Sequence, residues 1–246
     1  LMPLNPLEIV PGRLPALACL HAKKRTVKKL YLYGKSQTAE EFERLLPQEK
    51  IVYADRHQLD QLAGGVLHQG VLLHAAPLPV LDLDDWLVRH DRPDCILLAL
   101  DCIEDPQNFG AMVRSAAACG ASGVLFQKDR AAPVSPAAVK AAAGGMEYVD
   151  LIQVTNLARS LGALQEAGFW TAALDGRADT TLWSSDLTGR ITLVIGNEGA
   201  GVRRLVREKC DYRLAIPLPG EVASLNASVA AGIALAECMR QRAVKD

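Results

Sequence analysis

The chain has 246 residues, half of them hydrophobic and 22% charged, with 19 glycines and 13 prolines spread thinly. That composition excludes a disordered, collagenous or low-complexity protein and leaves room for one large domain or two modest ones. Twenty-seven basic side chains against 28 acidic ones give a net charge of −1, so the overall balance points to no particular partner.

The opening Leu1-Met2-Pro3-Leu4-Asn5-Pro6 lacks the basic flank and long apolar stretch of a signal peptide, and Leu1 ahead of Met2 reads as a remnant of cloning. No apolar run reaches the roughly 18 to 20 residues of a membrane-spanning helix. A cytoplasmic protein with no membrane partner is expected. Next comes a basic cluster: Lys23, Lys24, Arg25, Lys28 and Lys29 put five cations in seven residues, a density suited to phosphate contact. A solvated face at the end of a helix would look the same. Strands are predicted at 29–33, 51–54 and 71–75, alternating with helical patterns near 38–46 and 56–63, so residues 1–76 read as a small α/β unit. Residues 77–94 hold three prolines and five acidic side chains against two basic ones, and read as a linker.

From 95 to 246 the alternation is stronger. Strands are predicted near 96–100, 123–126, 169–173, 191–195 and 213–216, and helices near 108–119, 135–143, 156–167, 201–208 and 225–242. Continuous apolar strands such as Ile96-Leu97-Leu98-Ala99-Leu100 suit a parallel sheet buried on both faces. Ser135-Pro136 is a helix start, and Gly120 and Gly168 stand where a left-handed residue ends a helix. Six cysteines, Cys19, Cys95, Cys102, Cys119, Cys210 and Cys238, include no C-x-x-C pair and no histidine at ligand spacing, which argues against a disulfide framework and against a metal.

Open α/β sheets bind ligands outside the carboxyl ends of their strands, so the strand-to-helix loops carry the chemistry. The first, Asp101 to Ser115, offers Asn108 as a helix cap or a site residue. It also offers Arg114, a lone cation among Met112, Val113, Ala116 and Ala117, which is either a surface residue or a functional one. The second, Gly196-Asn197-Glu198-Gly199-Ala200-Gly201, exposes backbone amides and lacks the Walker lysine and the dinucleotide spacing. The third runs from Ile216-Pro217-Leu218-Pro219-Gly220 to Ser224-Leu225-Asn226-Ala227-Ser228, with Ser224 as the expected cap of the last helix.

Together and in this order, the three loops resemble the motifs of the SPOUT-class 2′-O-ribose methyltransferases of RNA, the TrmH-like group, over about 101–240. Phe126-Gln127-Lys128-Asp129-Arg130 and Val154-Thr155-Asn156-Leu157-Ala158-Arg159 resemble the branch that methylates a guanosine ribose in bacterial large-subunit ribosomal RNA. His68-Gln69-Gly70 is similar to the end of that branch's L30e-like RNA-binding domain, whereas Glu8-Ile9-Val10-Pro11 departs from its usual Gly-x-His/Asn opening.

The resemblance implies a C-terminal parallel sheet flanked by helices and threaded into a deep trefoil knot, with an L30e-like domain before it. It implies S-adenosylmethionine as cofactor, held by Gly196, Glu198, Gly199, Ile216, Leu218, Leu225 and Asn226. Arg114, with Asn108 and Ser228, is the implied catalytic set, large-subunit ribosomal RNA the substrate, and a homodimer through the C-terminal domain the assembly. A transfer-RNA methyltransferase and a non-catalytic RNA-binding protein on the same fold are the alternatives.

Overall fold

The computed structural model describes residues 7–129, 131 and 134–243; the opening hexapeptide and Arg130 lie outside the described residues. The chain first builds β1 (Glu8–Pro11), α1 (Arg13–Ala22), β2 (Val27–Tyr33), α2 (Gln37–Glu43), β3 (Ile51–Ala54), α3 (Arg56–Ala63) and β4 (Val71–Ala75). The strands form one sheet in the order β1-β4-β2-β3, with β4 antiparallel to both neighbours and β2 parallel to β3. Local chemistry explains most boundaries. Ser36 caps α2, while Asp55 and Gln58 close a reciprocal capping box on α3 that Gly64 ends in the left-handed region. Both β1 and α1 go unpredicted; α1 follows Gly12, which has no side chain to cap it and mark its start.

The second sheet, among the described residues, has seven strands: β5 (Val80–Leu81), β6 (Cys95–Asp101), β7 (Gly123–Gln127), β8 (Asp150–Val154), β9 (Trp170–Leu174), β10 (Arg190–Gly196) and β11 (Tyr212–Leu214). They run in the order β11-β9-β10-β6-β7-β8-β5, and every pairing is parallel. The helices α4 (Leu83–Arg89), α5 (Pro106–Ala118), α6 (Pro136–Ala141), α7 (Leu157–Glu166), α8 (Arg204–Lys209) and α9 (Ala227–Ala243) cover the two faces. The period-2 alternation of a strand sends Ile96, Leu98 and Leu100 into the core beneath α5, α6 and α9. It sends Cys95, Leu97 and Ala99 into the core beneath α4, α7 and α8. A strand apolar at every position fits only such a doubly covered sheet.

The acidic stretch 77–94, which composition reads as a linker, does run between the two sheets but is folded. Its β5 pairs with β8 at the edge of the large sheet, and its α4 buries Trp86 completely, stacked 4.3 Å from His90. Prolines and acids on the exposed side hid one apolar face.

The two units also share a continuous core, a single cluster that includes Val10, Leu30 and Leu73 of the first and Val113, Ala138 and Met146 of the second. The interface between them corrects part of the basic cluster. Arg25 does not face solvent: its side chain is 1% exposed and pairs with Glu8 at 2.8 Å and Glu147 at 2.5 Å. Glu8, in the segment that departs from the usual opening, thus serves the interface and also accepts the Leu78 amide at 3.0 Å. Lys24 is pinned to Asp150 at 3.1 Å. Lys23, Lys28 and Lys29 remain exposed, the last two as neighbours because a register shift interrupts β2 between Val27 and Lys29.

Candidate active site

At the middle of the large sheet β10 lies beside β6, with β7 and β8 extending to one side and β9 and β11 to the other. The loops leaving β6 and β10 therefore diverge, and a crevice opens between them at the carboxyl ends of the strands.

On the β6 side the chain turns at Asp105-Pro106, and Asp105 caps α5 by accepting the Gln107 and Asn108 amides at 3.1 and 3.2 Å. The cap expected of Asn108 is thus supplied by Asp105, which leaves the Asn108 carboxamide to point elsewhere. Its Nδ2 donates to Glu198 Oε1 at 3.1 Å.

On the β10 side, Gly196 sits where a Cβ would lie 2.0 Å from the Gly201 carbonyl carbon and 2.1 Å from the Val202 nitrogen. Only glycine fits, because the loop folds back directly over the strand end. Asn197 holds the fold-back: its carbonyl accepts Gly201 N at 2.8 Å, its Oδ1 accepts Gly199 N at 3.0 Å, and its Nδ2 donates to the Cys102 carbonyl at 3.2 Å. Asp101, fully buried at the end of β6, accepts from the Arg203 main-chain amide and Nε at 2.8 Å each. The side-chain hydrogen bond pushes the Arg203 guanidinium further above its ordinary value, so a buried carboxylate is matched by a permanent cation.

The third loop is held by Asn226, not Ser224. Its Oδ1 accepts Ser228 N at 2.9 Å and Val229 N at 3.2 Å, which caps α9 two residues later than expected, and it also takes the Ser228 hydroxyl at 2.5 Å. The amide of the same side chain donates to Asn108 Oδ1 at 3.0 Å and to Glu198 Oε1. Asn108, Glu198 and Asn226, one from each loop, therefore close a triangle of hydrogen bonds.

Beside the triangle lies a cleft. Gly196, Glu198, Ile216, Leu218 and Leu225 line it, together with the end of β9. Gly199 and Asn226 do not line it; they brace the loops that do. Leu174, Asp175 and Gly176, also on the wall, were not singled out from sequence, although the strand-end rule applied to the predicted strand 169–173 points straight at them. Arg114 lies six residues beyond Asn108 on α5 and is exposed; among the described residues no hydrogen bond or ion pair holds its guanidinium. Its backbone is fixed more firmly, since Gly145 approaches so closely that a Cβ there would be 2.9 Å from the Arg114 Cα. Ser228 reaches the triangle through Asn226.

The chain is similar to known proteins along most of its length. Residues 95–236 match the SpoU rRNA Methylase family, and residues 9–81 match a family described as RNA 2′-O ribose methyltransferase substrate binding. The 23S rRNA (guanosine-2′-O-)-methyltransferase RlmB of Pseudomonas putida is 40% identical over 249 residues, covering 98% of this chain and all of its own length. The protein of that name from Salmonella typhi is 47% identical over 195 residues, 78% of this chain and 79% of its own. The crystal structure of the SpoU methyltransferase AviRb from Streptomyces viridochromogenes superposes with a TM-score of 0.83 at 27% identity, covering 97% of this chain and 91% of that one. A structure of AviRb in complex with the cofactor AdoMet gives 0.80 at 27% identity, over 96% and 91%. The matched residues run from β1 into α9 in the order the two sheets follow, and the chain belongs to the SpoU rRNA methylase family.

Proposed function

We propose that this protein transfers a methyl group from S-adenosylmethionine to the ribose 2′-hydroxyl of a guanosine in 23S ribosomal RNA. The observation that carries the reading is the Asn108–Glu198–Asn226 triangle, which gathers all three motif loops at the mouth of one cleft in a chain similar throughout to RlmB enzymes. The cleft suits the cofactor: Gly196 leaves main chain bare, and Leu218 and Leu225 offer apolar surface to a purine ring. When bound, S-adenosylmethionine supplies a methyl carbon activated by its sulfonium.

The chain's own residues do the rest. A ribose hydroxyl is a poor nucleophile while protonated, so charge developing on its oxygen needs a fixed counter-charge. A guanidinium is effectively always protonated and cannot serve as the base. Arg114 therefore acts as the cation that stabilises the forming alkoxide, and the proton leaves to water or a substrate phosphate. Asn108 and Ser228, held through Asn226, orient the ribose, and no metal takes part.

Residues 1–76 form an L30e-like RNA-delivering unit, 77–94 connect it, and 95–246 form the catalytic unit. A trefoil knot in the C-terminal loops belongs to this reading through the similarity to the SpoU family. Exposed Val229, Ala236 and Met239 along one side of α9 support a homodimer through that helix. No helix among the described residues is long and apolar enough to cross a membrane. The similarity to 23S rRNA methyltransferases supports a cytoplasmic site of action.

Incubation with labelled S-adenosylmethionine and separate ribosomal and transfer RNA pools tests the reading. Label confined to a guanosine of 23S RNA is expected. Label in transfer RNA alone would move the substrate, and label in neither would leave a binding protein.

A further inference from the structure

The short segment Gly144–Glu147 is pressed between the two units. On one side Gly144, at φ +96°, sits where a Cβ would lie 2.4 Å from the Ala18 Cβ of α1. On the other, a Cβ at Gly145 would lie 2.9 Å from the Cα of Arg114 and 3.3 Å from its nitrogen and from the Val113 carbonyl. Two residues on, Glu147 takes the Arg25 guanidinium at 2.5 Å, with the two side chains 2% and 1% exposed. Lys24 seals the rim, donating to the Val149 carbonyl at 3.3 Å and to Asp150 at 3.1 Å.

We propose that the Arg25–Glu147 pair is a latch that positions Arg114: seating the N-terminal unit sets where α5 holds its arginine, through direct backbone contact at Gly145. Arg25 and Glu147 are positioning residues that touch neither substrate nor cofactor. The inference rests on the reading of Arg114 as the residue that meets the ribose oxygen.

Two physical points favour it. Close-packed main chain has no side chain at Gly145 to absorb a displacement, so a shift of Glu147 reaches Arg114 undamped. Stability gives a weak reason to keep a buried ion pair, whereas fixing one arrangement is its best-attested use. Here burial pushes the Glu147 carboxyl above its ordinary range even though Arg25 draws it down.

The test uses Glu147→Gln, Gly145→Ala and Arg114→Lys, alone and paired, in the full chain with ribosomal RNA. Glu147→Gln keeps the side-chain shape and leaves Arg25 its second partner Glu8, so the fold survives; should it fail to fold, Arg25→Lys, which keeps the charge and loses the fork, takes its place, while Gly145→Ala, which leaves the ion pair intact, tests the contact through which the pair would act. Each of the two should lower single-turnover rate about tenfold to a hundredfold, as expected for misplacement near an ångström, with S-adenosylmethionine affinity by calorimetry unchanged. In the Arg114→Lys background neither should cost anything more, because an effect that acts through Arg114 cannot be lost twice. Unaltered rates, a matching loss of cofactor affinity, or losses that multiply with Arg114→Lys would overturn the latch. Full activity of Arg114→Lys and of Arg114→Ala would instead overturn the reading of Arg114.

Discussion

In the proposed reaction Arg114 meets its target only when RNA brings one, since among the described residues its guanidinium has no partner of its own. An interaction made in the transition state leaves ground-state binding alone. Arg114→Ala should therefore lower kcat about a hundredfold to a thousandfold, the usual cost of one charge-stabilising donor, while a titration shows unchanged cofactor affinity. Arg114→Lys should recover little, as the planar fork is lost. Asn226 behaves differently because it both caps α9 and braces Glu198 at the cleft. Asn226→Ala should weaken cofactor binding and rate together and cost about 1 kcal/mol of stability in denaturant unfolding. An unchanged cofactor affinity in that variant would remove Asn226 from the cleft's support. At this scale the motif residues were legible because loop chemistry is local. The roles of Asp105 and Asn226 as caps were not, since Asn108 and Ser224 are equally good cap residues on paper. The partner of Arg25 was illegible for another reason: Glu147 stands 122 residues away.

Among elements, the turn from α1 into β2 shows how a basic run divides its labour. Lys23, Lys28 and Lys29 are exposed and free to meet phosphate, whereas Arg25 is committed to the interface. Neutralising the three lysines should flatten the dependence of RNA affinity on salt by about 0.7 in logarithmic slope for each phosphate left without its cation. Arg25→Met should leave that slope alone. Equal flattening by both would mean that the interface opens when RNA binds. The helices and strands with caps, glycine ends or continuous apolar runs were legible, as at Ser135-Pro136 and in β6. The elements that escaped had weak local signals. β8 begins at Asp150 straight after a helical turn and carries Gln153 near its end. The helix expected near 201–208 was legible except for its start, which falls at Arg204 because Gly201 is taken up in the fold-back.

For the whole molecule, composition implied two units on a linker, yet the core runs through both and β5 belongs to the large sheet. A core cluster shared by both units predicts one cooperative transition. Calorimetry should show a single peak whose van't Hoff and calorimetric enthalpies agree, and two resolved peaks would mean that the units melt separately. The order of the large sheet has a bearing on biosynthesis. Strands β5 to β8 lie together on one side of it and are made first, so this half can assemble while β9, β10 and β11 are still unmade. The triangle, however, takes Asn108 from the early half, Glu198 from the late one and Asn226 from just before the final helix. On the proposed reading of that triangle, a nascent chain carries no complete methyl-transfer site on the very machine whose RNA it modifies, and the site closes only after the third loop has emerged.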